Sequence, residues 1–389
     1  DLHLSIRRQR QMCIRDRRST GQTFAFYLVQ DIGGKPMGFT HLHVHTEYSL
    51  LDGSNKIKEY VARVKELGMD SAAITDHGVM YGCMDFYRAA KEAGINPILG
   101  CEVYVAPGSR FDKEMQHGED RYYHLVLLAE NNQGYSNLMK IVSAGFVEGY
   151  YYKPRVDLEV LEKYHEGIIA LSACLAGEIP RFLTRGLYEE GKRAALRYRE
   201  IFGKNNFFLE LQNHGIREQE IVNQQLVRMS SETGIELVCT NDVHYTYAED
   251  AGSHDILLCI QTGKKVQDED RMRYEGGQYY VKSEKEMAAL FPYAPQALEN
   301  TKKIGDRCHV EIEFGVTKLP KYDVPDGYTS WEYLNKLCWE GLEEKYHPVT
   351  EELKERLTYE LNTIKTMGYV ECGKTGAEKR RNRTGSVED

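Results

Sequence analysis

No run in the 389-residue sequence approaches 18 consecutive apolar residues, so no transmembrane helix is predicted. No basic stretch followed by an apolar one opens the chain, which argues against a secretory leader. CxxC pairs are missing, and the nine cysteines are odd in number and scattered. A disulfide scaffold is thereby excluded, and a reducing, cytoplasmic setting is expected. No Gly-x-Gly-x-x-Gly follows the first apolar strand, which argues against a dinucleotide-binding fold. Positive charge is also short: 50 Lys and Arg stand against 59 Asp and Glu, a net charge of −9. Such a chain is not one of the strongly basic modules that coat duplex DNA unaided. Apolar residues are not short. At 41% of the chain, with 12 Phe and 27 Tyr, they can bury a full core, which excludes wholesale disorder.

The two ends differ from what lies between them. Residues 1–36 carry Arg7, Arg8, Arg10, Arg15, Arg17 and Arg18 with no helical or strand period, and Gln11 to Arg17 reads as a translated library tag. A basic arm gripping nucleic acid is the rival reading. Regular patterning begins directly after Met37. Residues 371–389 are rich in Lys, Arg, Gly and Thr and break off a helical pattern. Both ends are expected to be artefactual or disordered. Residues 1–37 carry +4 and residues 371–389 carry +1, which leaves −14 on residues 38–370. A polyanion would have to be bound through local sites or metal ions, not through the overall field.

Between the ends, apolar runs alternate with amphipathic helices. Strands are expected at residues 39–44, 71–75, 97–105, 122–128, 167–171, 207–211 and 236–239, with helical stripes such as Ile57, Tyr60, Val61 and Val64 between them. Seven strands separated by helices over some 220 residues predict a mainly parallel sheet, and at that length a closed α/β barrel. Residues 37–310 are assigned to this barrel. Residues 311–328, punctuated by Pro and Gly, read as a linker. Residues 329–370 hold two helices, the first opened by a Thr329–Glu332 capping box and the second capped by Thr350, with Leu353, Leu357 and Leu361 on one stripe. Two helices are too little for a stable domain, so they read as the opening of a larger one cut short, with part of the leucine stripe exposed.

The chemistry concentrates at the ends of strands. His41, His43 and His45 alternate along the first strand and should face one side, with Asp52 seven residues on. One histidine alone would be an ordinary structural residue; repeated imidazoles with a nearby carboxylate suit zinc, manganese or iron. Asp76 and His77 follow the second strand. Glu102 interrupts the apolar third strand, where a carboxylate is costly to bury unless a cation or hydrogen bonds compensate it. His124 opens the fourth strand, Cys174 follows the fifth, and Asp242 and His244 follow the seventh. Loops at the C-terminal ends of barrel strands assemble active sites, so these distant residues can converge. His124 fits that rule poorly, since it precedes its apolar run.

The segments FTHLHVHTEYSLLDG, ITDHG, GCEVYV, SACLAGEI and TNDVHY resemble, in order and spacing, the PHP (polymerase and histidinol phosphatase) family. Within it they resemble more closely the N-termini of bacterial DNA polymerase III alpha subunits, from about Met37 to Val370. That resemblance implies a distorted seven-stranded, TIM-barrel-like (βα)7 fold followed by the first helices of a polymerase domain. It implies a cluster of two or three divalent ions held by His43, His45, Asp52, His77, Glu102, His124, Cys174, Asp242 and His244. Among these, Asp242, His244 and His77 are the catalytic candidates, while His41 and Asp76 are expected to support ligands from behind. The implied activity is metal-dependent phosphodiester hydrolysis, as in 3′–5′ proofreading, within a nucleotidyltransferase family whose polymerase carboxylates lie beyond Gly368. The implied partners are primer–template DNA and, through the whole chain, the sliding clamp and proofreading subunit of the replicase, in the cytoplasm and without a membrane. Two alternatives remain: a structural metal-binding domain of the replicase, and a free-standing phosphomonoesterase of the histidinol phosphatase kind.

Overall fold

The structure, a computed structural model, describes residues 38–114, 120–316, 318 and 323–371. The arginine-rich leader and all but the first residue of the 371–389 tail lie outside the described residues. Contacts divide the chain into two compact units, Asp1–Glu311 and Ile312–Asp389.

In the first unit, eight strands form one curled sheet: β1 (Ser71–Ile74), β2 (Asn96–Val105), β3 (Tyr123–Ala129), β4 (Tyr150–Tyr151), β5 (Lys153–Val156), β6 (Ile168–Leu171), β7 (Phe207–Leu211) and β8 (Leu237–Cys239). The ten-residue β2 pairs in parallel with β1 along its first half and with β5 at its end. The expected first strand is not a regular ladder partner, yet it closes the ring. Ala73 N–H donates to His41 O and Thr75 N–H to Val44 O on one side; His45 N–H donates to Val243 O and Val243 N–H to His43 O on the other. Segment 41–45 therefore joins β1 to the chain leaving β8. With β1, β2, β3, β6, β7 and β8 it makes the seven staves of a distorted α/β barrel.

The sheet is mainly parallel, as expected, but two of its strands are reversed. β3 runs antiparallel to both β2 and β6, and β4 runs antiparallel to β5. An apolar run has the same pattern in either direction, so hydrophobicity alone does not set strand polarity. The reversal has a direct effect on the site: the N-terminal end of β3 lies beside the C-terminal end of β2, with Tyr104 opposite His124. His124 thus reaches the same rim as residues that follow parallel strands.

The barrel interior is filled by Leu42, Ala73, Ile98, Val126, Leu128, Ile169, Leu171, Phe208 and Val238, all within a few per cent of complete burial. Helices cover the outside through their apolar stripes. In α1 (Ile57–Glu66), Ile57, Tyr60, Val61 and Val64 are the buried residues. In α2 (Cys83–Ala93) they are Cys83, Phe86, Tyr87 and Ala90, and the helix stops where Gly94 turns left-handed.

The second unit contains helices Ser330–Lys345 and Glu351–Thr366. The Thr329–Glu332 capping box forms as expected, Thr329 N–H donating to Glu332 Oε2 at 2.8 Å. On the leucine stripe, Leu353 and Leu357 are half-buried, but Leu361 is buried. No helix among the described residues is long and apolar enough to cross a membrane.

Candidate metal centre

Glu102 lies at the centre of the rim. It projects from β2 and is completely buried. Its Oε1 lies 3.3 Å from His43 Nε2 and 2.9 Å from His124 Nδ1; its Oε2 lies 2.6 Å from His77 Nδ1 and 3.6 Å from His45 Nε2. Asp242 Oδ1 lies 3.3 Å from His43 Nε2 and 3.2 Å from His45 Nε2. Asp52 Oδ2 lies 2.9 Å from His77 Nε2, and Asp52 Oδ1 is 4.0 Å from His244 Nε2. Cys174 Sγ is 3.8 Å from His124 Nδ1 and 4.0 Å from Glu102 Oε1. The nine side chains His43, His45, Asp52, His77, Glu102, His124, Cys174, Asp242 and His244 thus form one contiguous cluster. His41 stands apart: its Nε2 lies 2.9 Å from the Lys282 carbonyl, so it braces the strap after β8 rather than facing the cluster.

The residues around the cluster fix its orientation. Asp76 accepts from Thr46 N–H (2.6 Å), the Thr46 hydroxyl (2.8 Å) and the Ser49 hydroxyl (2.7 Å), while Ser49 Oγ lies 3.1 Å from His45 Nδ1. The turn carrying Asp52 is thereby tied to the end of β1. Gly53 completes it, since a Cβ there would lie 2.3 Å from Thr46 O. Three non-glycine residues take left-handed backbone at the rim: Leu51 before Asp52, Ala173 before Cys174, and Asp242 itself. Each such residue costs on the order of 1–3 kcal/mol, and strain of this kind collects where side chains must be aimed.

Several members of the site escape the motifs. Glu210 on β7 accepts from His43 Nδ1 (2.7 Å), Gln212 Nε2 (3.0 Å), the Thr240 hydroxyl and Ala173 N–H (3.0 Å). Like Glu102, it is a carboxylate within an apolar strand, and that signal in FFLEL could have found it. Tyr274 brings its hydroxyl to 3.4 Å from Asp52 Oδ1 and 3.3 Å from His244 Nε2. It comes from a polar loop with no period, which marks no residue in advance.

Three carboxylates at close range would, by themselves, repel one another and raise their own pKa values. They do the opposite. Burial disfavours their charge, but interleaved imidazoles outweigh it and hold Asp52, Glu102 and Asp242 well below the usual carboxylate range. His77 balances them: burial opposes its charge, yet Glu102 and Asp52 raise it to about 10. His43 is raised in the same way, against burial, by Asp242, Glu210 and Glu102. His45 is pushed down to about 3, by burial first and then by His77 and His244. Burial, then Glu102 and Asp242, pushes the Cys174 thiol up, so it is protonated unless a cation sits beside it.

The donor set suits divalent ions. His77 Nδ1 and Nε2, Glu102 Oε2 and Asp242 Oδ1 are buried without a hydrogen-bond partner, although ligand-type atoms lie within 2.6–3.6 Å of them. Close approach without hydrogen-bond geometry is what lone pairs aimed at a shared point produce. Three sets of ligand atoms, each within 4.8 Å, could hold an ion: His43, His45 and Glu102; His45, His77 and His244; and His77, Glu102 and His124.

Residues 41–214 match the PHP domain family. The chain carries a PHP domain. It is 46% identical over 333 residues to DNA polymerase III subunit alpha of Borreliella burgdorferi, covering 85% of this chain and 29% of that protein. It is 45% identical over 335 residues to the Treponema pallidum subunit and 40% identical over 322 residues to that of Thermus aquaticus, covering 29% and 26% of them. The chain is therefore homologous to the N-terminal region of DNA polymerase III subunit alpha, and it spans less than a third of these relatives' length. A solved amidohydrolase from Chromobacterium violaceum overlaps 54% of this chain and 88% of its own at 16% identity, with a TM-score of 0.36.

Proposed function

We propose that the PHP domain binds two or three divalent ions, zinc, manganese or iron, and hydrolyses phosphodiester bonds at DNA 3′ ends as part of a replicative polymerase alpha subunit. The observation that carries this reading is the set of buried, unpartnered nitrogen and oxygen atoms converging on Glu102. His43, His45, Glu102 and Asp242 would hold one ion; Asp52, His77 and His244, with Glu102, a second; His124, Cys174 and Glu102 a third. Ions bound there supply a water ionisable near neutral pH and offset phosphate charge. Asp242 and His77 would orient the attacking water and carry its proton, and His244 buttresses Asp52. His41 and Asp76 hold the supporting turns. Primer–template DNA, the sliding clamp and a proofreading subunit are the proposed partners of the whole chain in the cytoplasm.

The test is metal analysis of the purified chain together with hydrolysis of a 3′-recessed primer and of a small phosphomonoester. Asp242→Asn is expected to abolish primer hydrolysis while circular dichroism stays unchanged. Bound ions with no hydrolysis of either substrate would favour a structural metal site. Turnover of the monoester alone would favour a phosphatase.

A further inference from the structure

An aromatic strip leads outward from His124. The Tyr122 ring stacks near-parallel to His124 at 6.0 Å, and Tyr104 meets His124 at 5.2 Å and Tyr122 at 4.9 Å, both edge-on. The β2–β3 pairing sets this out, since Tyr104 lies opposite His124 and Tyr122 lies two residues before it. Beyond Tyr122, the Arg121 guanidinium covers the Tyr152 ring at 4.2 Å, and Lys153 Nζ lies 5.4 Å from the Tyr104 ring centre. Tyr152 is 60% exposed and holds a left-handed backbone with φ of 60°. A strained backbone that presents a large aromatic to solvent is not explained by packing.

Charge along the strip runs against the rest of the chain. Residues 38–370 are acidic, and nearby cations are paired: Arg110 with Asp157, Arg185 with Asp120, Arg197 with Glu178. Among the described residues, Arg121, Lys153 and Arg181 have no carboxylate partner. Burial raises the Tyr122 phenol, and Arg121 and Arg181 pull it back. Beneath lies Arg155, 2% exposed, whose guanidinium donates, among the described residues, to the carbonyls of Gly149, Arg121, Arg110 and Asp112. Its ring neighbour is Tyr151 at 4.9 Å.

We infer that Tyr122, Tyr152, Arg121 and Lys153 form a track for single-stranded nucleic acid that delivers a strand end to the metal centre. Flat aromatic faces with interleaved cations suit a polyanion whose bases are free to stack, and every base offers such a face. A duplex keeps its bases stacked inside and offers the same residues only its phosphates. The inference rests on the phosphodiesterase reading for the direction of travel, but the binding itself does not need the ions.

Fluorescence anisotropy of a labelled oligothymidylate against the 389-residue chain carrying Asp242→Asn reads binding without turnover. Tyr152→Ala and Arg121→Gln, both at exposed positions, are each expected to weaken binding about tenfold. Arg121→Gln should also lower the slope of log affinity against log salt by roughly 0.7, one phosphate contact. A duplex of equal length should bind more weakly and ignore Tyr152→Ala. Equal affinity of both variants and the parent, tighter binding of the duplex, or no binding of the oligonucleotide would each overturn the track. Primer hydrolysis with unaltered oligonucleotide affinity would remove the track and leave the metal-centre reading standing. Track-dependent binding without hydrolysis would do the reverse.

Discussion

His43 Nδ1–H donates to Glu210 Oε1 at 2.7 Å, which leaves Nε2 as the only ring nitrogen able to face Glu102 and Asp242. The tautomer of His43 is therefore set from behind. Partners of this kind fix ring orientation and raise ligand basicity. Glu210→Ala is expected to weaken divalent-ion binding by about 10–100-fold, with Glu210→Gln intermediate. Titration against a chelating dye measures it, and wild-type affinity in both variants would show that His43 needs no such partner.

Ion binding should stabilise the fold. At about 100 times the dissociation constant, a ligand binding only the native state contributes about 2.7 kcal/mol. For a unit of this size that is roughly 5–10 °C in Tm. Melting with chelator and again after zinc or manganese is restored gives the comparison. Coincident curves would leave no metal site at the rim.

Asp76 makes no contact with the proposed ions, yet three donors depend on it. Burial raises its pKa, and those same hydrogen bonds draw it back. Asp76→Ala leaves the Thr46 and Ser49 donors buried, at about 1–3 kcal/mol each. Urea unfolding should show a loss of roughly 3–5 kcal/mol, with ion affinity falling as the 46–53 turn loosens. A loss within 0.5 kcal/mol would mean that the turn holds itself.

His214 provides a pH dependence. Burial, the largest influence, lowers its pKa to about 4, and its Nε2 lies 2.9 Å from the Asn241 carbonyl. The unfolded chain binds this proton near pH 6.5 and the folded one only near pH 4. Between those values the unfolded state holds more protons, so stability falls as pH falls. The full difference is about 3 kcal/mol. His214→Gln should flatten the stability profile between pH 6.5 and 4 relative to the parent. Parallel profiles would show that other groups govern that window.

Much of the barrel was legible because its staves are short apolar runs and its outer helices carry apolar stripes, as at Ile57, Tyr60, Val61 and Val64. The direction of β3 was not, and that alone made His124 look misplaced. The segment around His43 read as a strand because its residues alternate, though it holds its place with scattered bonds to Ala73, Thr75 and Val243 rather than a full ladder. The cluster stood out where polar residues interrupt apolar patterns at strand ends. Glu210 gave the same signal without a motif around it. Tyr274 gave none, because a loop residue acquires its neighbours only through tertiary folding.

The segment that closes the ring also sets when the site can exist. His43 and His45 come from the start of the folded chain; Asp242 and His244 arrive about 200 residues later, and bonds between Val243 and residues 43–45 hold the two stretches together. A nascent chain therefore has no complete cluster until its seventh stave emerges from the ribosome. Any ion captured between His45 and Asp242 would act as a clasp across that seam, offsetting the entropy of closing a loop of this length.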